Sequence, residues 1–396
     1  MVARRVARLL SRDVARPFSP VENEAQLRWQ RALHLAPRAG QGVVRRAVFF
    51  ALLAWLPIAF WALMRRHFLE SAFGEPLLQH YGVQVRCLVV IPLLILGEAT
   101  LHRFGLGCFP QFVSSGLVDN ATRPRFEAAL RTAERWRDSS LPWMFVAGAA
   151  LAWTLADRTA LRTDAMSWAF DEMGTLGFGG VWFAYVVRPL YVGLLLGWLW
   201  RVVLLTLLFW RLGRLGLSLV PSHPDRAGGL GFLKKLPYAF APVSFALSAM
   251  LSARWAHQIV HHGQRLETFQ VPAATFVVAW SLLLLLPLTA LMPVMQQAKR
   301  AAMPTYAAMV AEQGRLVRRR WVDGTTLDSP LLEPEGVGPI ADAATMFNAV
   351  QSMRWFPIGK VSLVAIGLPI AMPMLAIAAL EVPIRDLLLG LVKTLV

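Results

Sequence analysis

The feature that most limits how this chain folds is an apolar run of about 30 residues, 181–210, whose only charged members are Arg188 and Arg201. As a helix it would measure ~45 Å, against a hydrocarbon core of ~30 Å. It must therefore tilt, kink at Pro189 or project beyond the bilayer. Related runs fall at residues 47–64, 83–101, 141–156, 237–253, 271–295 and 361–380. A soluble core does not need so many uninterrupted apolar segments, and mean hydropathy is +0.49. The expected fold class is all-α: a polytopic transmembrane helical bundle of about seven spans, with interfacial and cytosolic amphipathic helices.

The net charge of +16 would suit nucleic acid, so its distribution has to decide. With the N-terminus inside, 29 of the 40 lysines and arginines fall in residues 1–46, 102–140, 211–236 and 296–360, and 8 on the opposite side. The remaining three are Arg86, Arg188 and Arg201, within spans. Such alternation predicts a cytoplasmic N-terminus and a periplasmic C-terminus. The excess charge is then an attraction to an anionic cytosolic leaflet, and nucleic acid is excluded as a partner. The 15 tryptophans suit two interfacial belts. Cys87 and Cys108 are too few for a disulfide framework, have no metal-ligand spacing and read as free thiols.

Three regions follow: a basic cytosolic N-terminal segment (1–46), a transmembrane helical domain (47–380) that includes a cytosolic loop (296–360), and a C-terminal interfacial helix (381–396). The first 20 residues read as a basic helix on the cytosolic leaflet. Residues 104–118 are apolar but broken by Gly105, Gly107, Pro110 and Gly116, which predicts an interfacial or re-entrant segment. Arg123–Asp138 reads as an amphipathic helix, with Glu127 four residues before Arg131. The outer loop 157–180 holds Asp157, Asp164, Asp171 and Glu172. In the cytosolic loop, a helix ending in Arg318, Arg319 and Arg320 precedes a linker (323–339) and a second amphipathic helix through Trp355.

Three constellations carry possible chemistry. In residues 222–233, His223, Asp225 and Arg226 precede Gly228, Gly229 and Gly231, a pattern that either presents backbone amides to an anion or builds a tight turn capped by Asp225. It lacks the Lys-Ser/Thr of a phosphate-cradling loop. His257 and His261 share a helical face with the spacing of a metal-binding pair, or are interfacial edge residues. Arg86, Glu98, Arg188 and Arg201 are ionisable groups inside spans, which must find a partner or water. Glu98 lies ~22 Å along its span and Arg201 ~18 Å along its own, depths that match within a turn and predict a pair. No nucleophile elbow, His-Glu-x-x-His helix, nucleotide loop or cysteine cluster is present, and no cofactor is expected.

Residues 112–139, 219–233 and 341–391 resemble a group of uncharacterised bacterial polytopic inner-membrane proteins bearing an HPDRAGGLGFL-like signature. The resemblance implies a bacterial inner membrane and no activity. The leading functional expectation is a transporter or channel-like protein with polar residues of the second and fourth spans lining its path. A sensor or assembly scaffold, binding a protein partner or another copy of itself through cytosolic loops, is the alternative. A lipid-modifying enzyme using His223 and Asp225 is the third.

Overall fold

The computed structural model describes residues 18–32, 34–35, 37, 42–69, 76–156, 168–170, 175–324 and 337–381. Among these the regular structure is helical, beside one isolated bridge between Phe170 and Leu176. After a short helix α1 (Ala25–Ala32) come α2 (Val43–Met64), α3 (Tyr81–Ser114), α4 (Arg123–Asp138) and α5 (Leu141–Ala156). The chain continues through α6 (Phe178–Gly213), α7 (Leu236–His262), α8 (Gln270–Thr289), α9 (Met292–Trp321), α10 (Val337–Ser352) and α11 (Lys360–Glu381).

Six helices are long and apolar enough to cross a membrane: α2, α3, α6, α7, α8 and α11. The chain is thus an all-α integral membrane protein. Many of their large side chains face outward where lipid would be, such as Phe60 (66%) on α2 and Val271 (75%) on α8. The run expected as a third span, 141–156, forms α5, and residues 157–167 after it lie outside the described residues.

The break expected at Gly105, Gly107 and Pro110 does not occur, because α3 runs from Tyr81 to Ser114 and residues 104–114 extend it. Gly105 is a contact rather than a breaker: a Cβ there would lie 2.6 Å from Pro20 Cδ and 2.7 Å from the Phe18 carbonyl oxygen. Pro92 is accommodated by a π turn, Arg86–Val90, in which the Ile91 N–H reaches back to the Arg86 carbonyl. The second long helix repeats the device. In α6 the π turn Phe183–Val187 directly precedes Arg188 and Pro189, and the Arg188 N–H reaches the Phe183 carbonyl. Each helix is followed by a glycine in the left-handed region, Gly116 (φ 73°) and Gly216 (φ 74°).

Of the N-terminal segment, residues 1–17, where the surface helix is expected, lie outside the described residues; Phe18, Ser19, Val21, Glu24, Ala25 and Leu27 are buried inside the molecule. Asn23 takes a left-handed conformation (φ 62°), which asparagine tolerates, and turns the chain into the bundle. The expected C-terminal interfacial helix, 381–396, falls almost wholly outside the described residues. The second helix expected in the loop 296–360 is α10, which stops at Ser352, short of Trp355, and the helix carrying the Arg318–Arg320 run is α9, which ends at Trp321.

Candidate functional site

At the end of the bundle occupied by residues 18–32, four charges meet in the interior. Glu98 of α3 accepts from Arg46 Nη1 of α2 at 2.7 Å and from Arg201 Nη2 of α6 at 2.8 Å. Arg201 also grips Glu24 through two bonds, Nε to Oε1 at 2.9 Å and Nη2 to Oε2 at 2.7 Å. All four side chains are at most 2% exposed. The charges sum to zero, and both carboxylates have both oxygens engaged, which is what buried ions require.

The surroundings fix this set in place. Trp198 stacks under the Arg201 guanidinium at 4.9 Å and donates its indole N–H to the Leu94 carbonyl at 2.9 Å. Gly97 makes room for that indole, since a Cβ would stand 2.9 Å from Trp198 Cζ2. The N-terminal segment is held by α3 and α4. Ser19 Oγ bonds to His102 Nδ1 at 2.7 Å, Arg137 Nη1 donates to the Ser19 carbonyl, and Phe18 meets Phe109 edge to face at 4.9 Å. Arg28 of α1 donates to the Asp138 carbonyl at 2.7 Å.

Glu98 and Arg201 are therefore in contact, the pair that their matching depths predict. Sequence reasoning missed Glu24 and Arg46, because both stood in the segment counted as a cytosolic flank. One signal was available for Arg46: it sits one turn inside α2, whose antiparallel neighbour α3 carries Glu98 midway along its length.

The residues 222–233 form a closed turn at the same end. The Asp225 carboxylate accepts the backbone N–H groups of Ala227 (2.8 Å), Gly229 (3.1 Å) and Gly231 (2.8 Å), and His223 Nδ1 lies 2.9 Å from Oδ1. Burial raises its pKa, but the hydrogen bonds from Ala227, Gly231, Gly229 and His223 outweigh that and hold it below the usual aspartate range. The amides that would bind an external anion are filled from within. Gly228 and Gly229 have φ of 65° and 97°, and Gly231 has no space for a Cβ beside Asp225. Arg226 gives Asp225 no bond. It adopts φ 56°, and its carbonyl takes the Arg354 N–H at 2.8 Å, tying the turn to the segment between α10 and α11.

At the opposite end stand the other candidates. His257 and His261 are neighbours on α7 with ring centroids 4.6 Å apart, and His80 stacks on His257 at 5.1 Å with 29° between the planes. Stacked rings turn their in-plane lone pairs aside, whereas a metal needs them converging. Among the described residues no group of three or more His, Cys, Asp or Glu side chains is placed to hold a metal ion. Arg86 lies between the rings of Phe183 and Tyr191, at 5.0 and 5.2 Å. Arg188 follows the π turn of α6, and neither arginine joins Glu98. Cys87 and Cys108 are buried free thiols. Comparison with protein-family models, with curated proteins and with solved structures finds no match for this chain.

Proposed function

We propose that this chain is a transport protein of a bacterial inner membrane, with a cytoplasmic N-terminus and seven crossings, closed at its cytoplasmic end by residues 18–32. The observation that carries the reading is Glu24. It belongs to a polar segment outside the spans, yet its carboxylate is inserted into the bundle and completes the ion-pair set of Arg201, Glu98 and Arg46. Rigidity alone is obtained more cheaply from apolar packing, since burying ions costs several kcal/mol each (~) before their attraction returns it. A plug attached by charge, entering from one end between spans, is what a gate needs. The polar residues of the second and fourth spans then form a latch across the path rather than an open lining.

The seventh crossing is supported by what flanks α5. Asp138, before it, is bonded to Arg28 at the N-terminal end, while Trp168, after it, packs on Trp61 in the last turn of α2 at the other. The chain must pass from one end to the other between them. The positive loops assign the N-terminal end to the cytoplasm.

Flux through purified protein in sealed vesicles tests the reading, with entrapped pH-sensitive and halide-sensitive dyes and an imposed potential. Wild-type vesicles should be tight, and Glu24→Gln should leak protons or anions several-fold faster. Equal tightness in both, with Glu24→Gln shown to be folded, would refute the plug. For topology, a reporter fused after Gln264 should read outside and one after Gly324 inside.

A scaffold reading has one observation in its favour: α9 and α10 pack on each other, and from residue 296 to 319 no residue of α9 is buried, leaving a long, basic, outward-facing helix. The lipid-enzyme reading has less, because the Asp225 carboxylate is occupied by backbone amides.

A further inference from the structure

α3 and α6 meet at their π turns. Arg86 opens the first turn, and its guanidinium carbon lies 5.0 Å from the ring of Phe183, which opens the second, and 5.2 Å from the ring of Tyr191. Ring faces attract a cation, but they do not accept its N–H groups in the directed way that oxygen does. Arg46, Arg137 and Arg201 all find oxygen acceptors. Arg86 has none among the described residues, which also offer it no ion pair, and its Nε, like that of Arg46, is buried with no hydrogen-bond partner.

Among the described residues the charged groups acting on Arg86 are of its own sign, Arg188 of α6 and Arg254 of α7. Glu98, the acid on the same helix, lies 12 residues on, ~18 Å away, and both its oxygens are taken. There is also room. Gly82 stands one turn before Arg86 on the same helical face, and a Cβ there would meet nothing within 4 Å. π turns recur at functional sites because they break the helical register and free backbone and side-chain positions.

We propose that Arg86 is the centre of an oxyanion-binding site at the end of the bundle opposite residues 18–32, framed by Phe183, Tyr191 and the open space at Gly82. The ligand chemistry is a phosphate or carboxylate group, which matches the planar fork of a guanidinium. The group can come from a free anion or from a lipid headgroup. An arginine that merely snorkels would have an unconstrained head; here two rings fix it. The site stands apart from the transport reading, because binding needs no flux.

The test is binding to solubilised, delipidated full-length protein, read by the anion-dependent shift in thermal unfolding and by tryptophan fluorescence. Inorganic phosphate and acetate form one arm, phosphatidylglycerol in detergent a second, and sodium chloride at matched ionic strength the control. Phosphate or acetate should stabilise the wild type beyond the salt control. Arg86→Gln should weaken that binding about tenfold or more, as loss of a charge-assisted pair does, and Arg86→Lys should keep part of it. Gly82→Leu, which fills the open space and leaves Arg86 in place, should also abolish binding. A response to phosphatidylglycerol alone, lost in Arg86→Gln, assigns the site to a headgroup. No response to any of these anions, or one unchanged in folded Arg86→Gln and Gly82→Leu, overturns the proposal.

Discussion

Arg201 and Arg86 are the same residue type on adjacent long helices, and the two ends of the bundle treat them in opposite ways. Arg201 has its charge matched by two carboxylates and makes three short bonds that join α6 to α3 and to residues 18–32. Arg86 has its charge faced by two rings and its buried Nε without a partner among the described residues. In the first arrangement both carboxylates have both oxygens engaged, and the Nε of Arg46 alone among the four charged groups is left without a partner. That arrangement holds distant parts of the chain together, and any single deletion strands a charge. The second tolerates the cation without consuming it. One end is built for closure, and the other has unused binding capacity.

The largest expected effect follows from breaking the closed end at its centre. Glu98→Gln leaves Arg46 buried with no carboxylate, while Arg201 keeps Glu24. Stranding a buried ion costs about 3–5 kcal/mol, so unfolding in mixed micelles should shift by that order. The second substitution distinguishes the roles. Adding Arg46→Gln should restore much of the loss, because it removes the stranded charge. Adding Arg201→Gln should restore less, because it strands Glu24 in turn. Equal rescue by the two would mean that the four charges do not form the chain Arg46, Glu98, Arg201, Glu24 in the folded protein.

A smaller effect is expected at the turn beside the closed end. Asp225→Ala orphans the N–H groups of Ala227, Gly229 and Gly231, each worth about 1 kcal/mol net, in a turn that solvent partly reaches. A loss of about 1–3 kcal/mol is expected. The pH dependence has a definite sign. The folded-state pKa of Asp225 is depressed, so its contribution is present above the ordinary aspartate pKa and is lost as pH falls through the still lower folded value. The gap in melting temperature between wild type and Asp225→Ala should therefore narrow on acidification from neutral pH. A gap that stays constant to the acid limit of folding would show that the carboxylate is not the acceptor.

How much of this was legible in the sequence depends on whether the deciding contact was local. Apolar runs longer than a bilayer require helices, and these spans could be placed to within a few residues at most of their ends. Asp225 followed by glycines reads as a turn because its partners are two, four and six residues away. The Glu98 and Arg201 contact was reachable because depth along a helix is set by residue count. Glu24 was not, since its partner is Arg201, in a span far along the chain, and nothing local marks a polar segment as buried. Gly105 and Pro110 misled for a related reason. Glycine reads as a breaker, yet here it is where Phe18 and Pro20 cross the helix. Neither π turn was foreseen, although both lie immediately before an x-Pro pair that disfavours the ordinary register.

The smallest effects compare the two ends on one helix, α3, with one methyl group. At Gly105 an added Cβ would meet Pro20 Cδ at 2.6 Å and the backbone oxygen of Phe18 at 2.7 Å, neither of which is the far end of a flexible side chain. Residues 18–20 would have to move, and overpacking of this kind costs about 1–3 kcal/mol. Against it stands the ~1 kcal/mol that alanine gains over glycine within a helix. The net should be a loss, and it should be accompanied by faster proteolysis ahead of α1 if the segment is displaced. At Gly82 the same methyl group meets nothing within 4 Å. Only the helix term remains, and its full size is not reached in a first turn, so Gly82→Ala should be neutral or stabilising by at most ~1 kcal/mol. The sign of the difference is what matters. Should Gly82→Ala destabilise as much as Gly105→Ala, the end around Arg86 is as tightly filled as the other, and the contrast between a closed end and an open one fails.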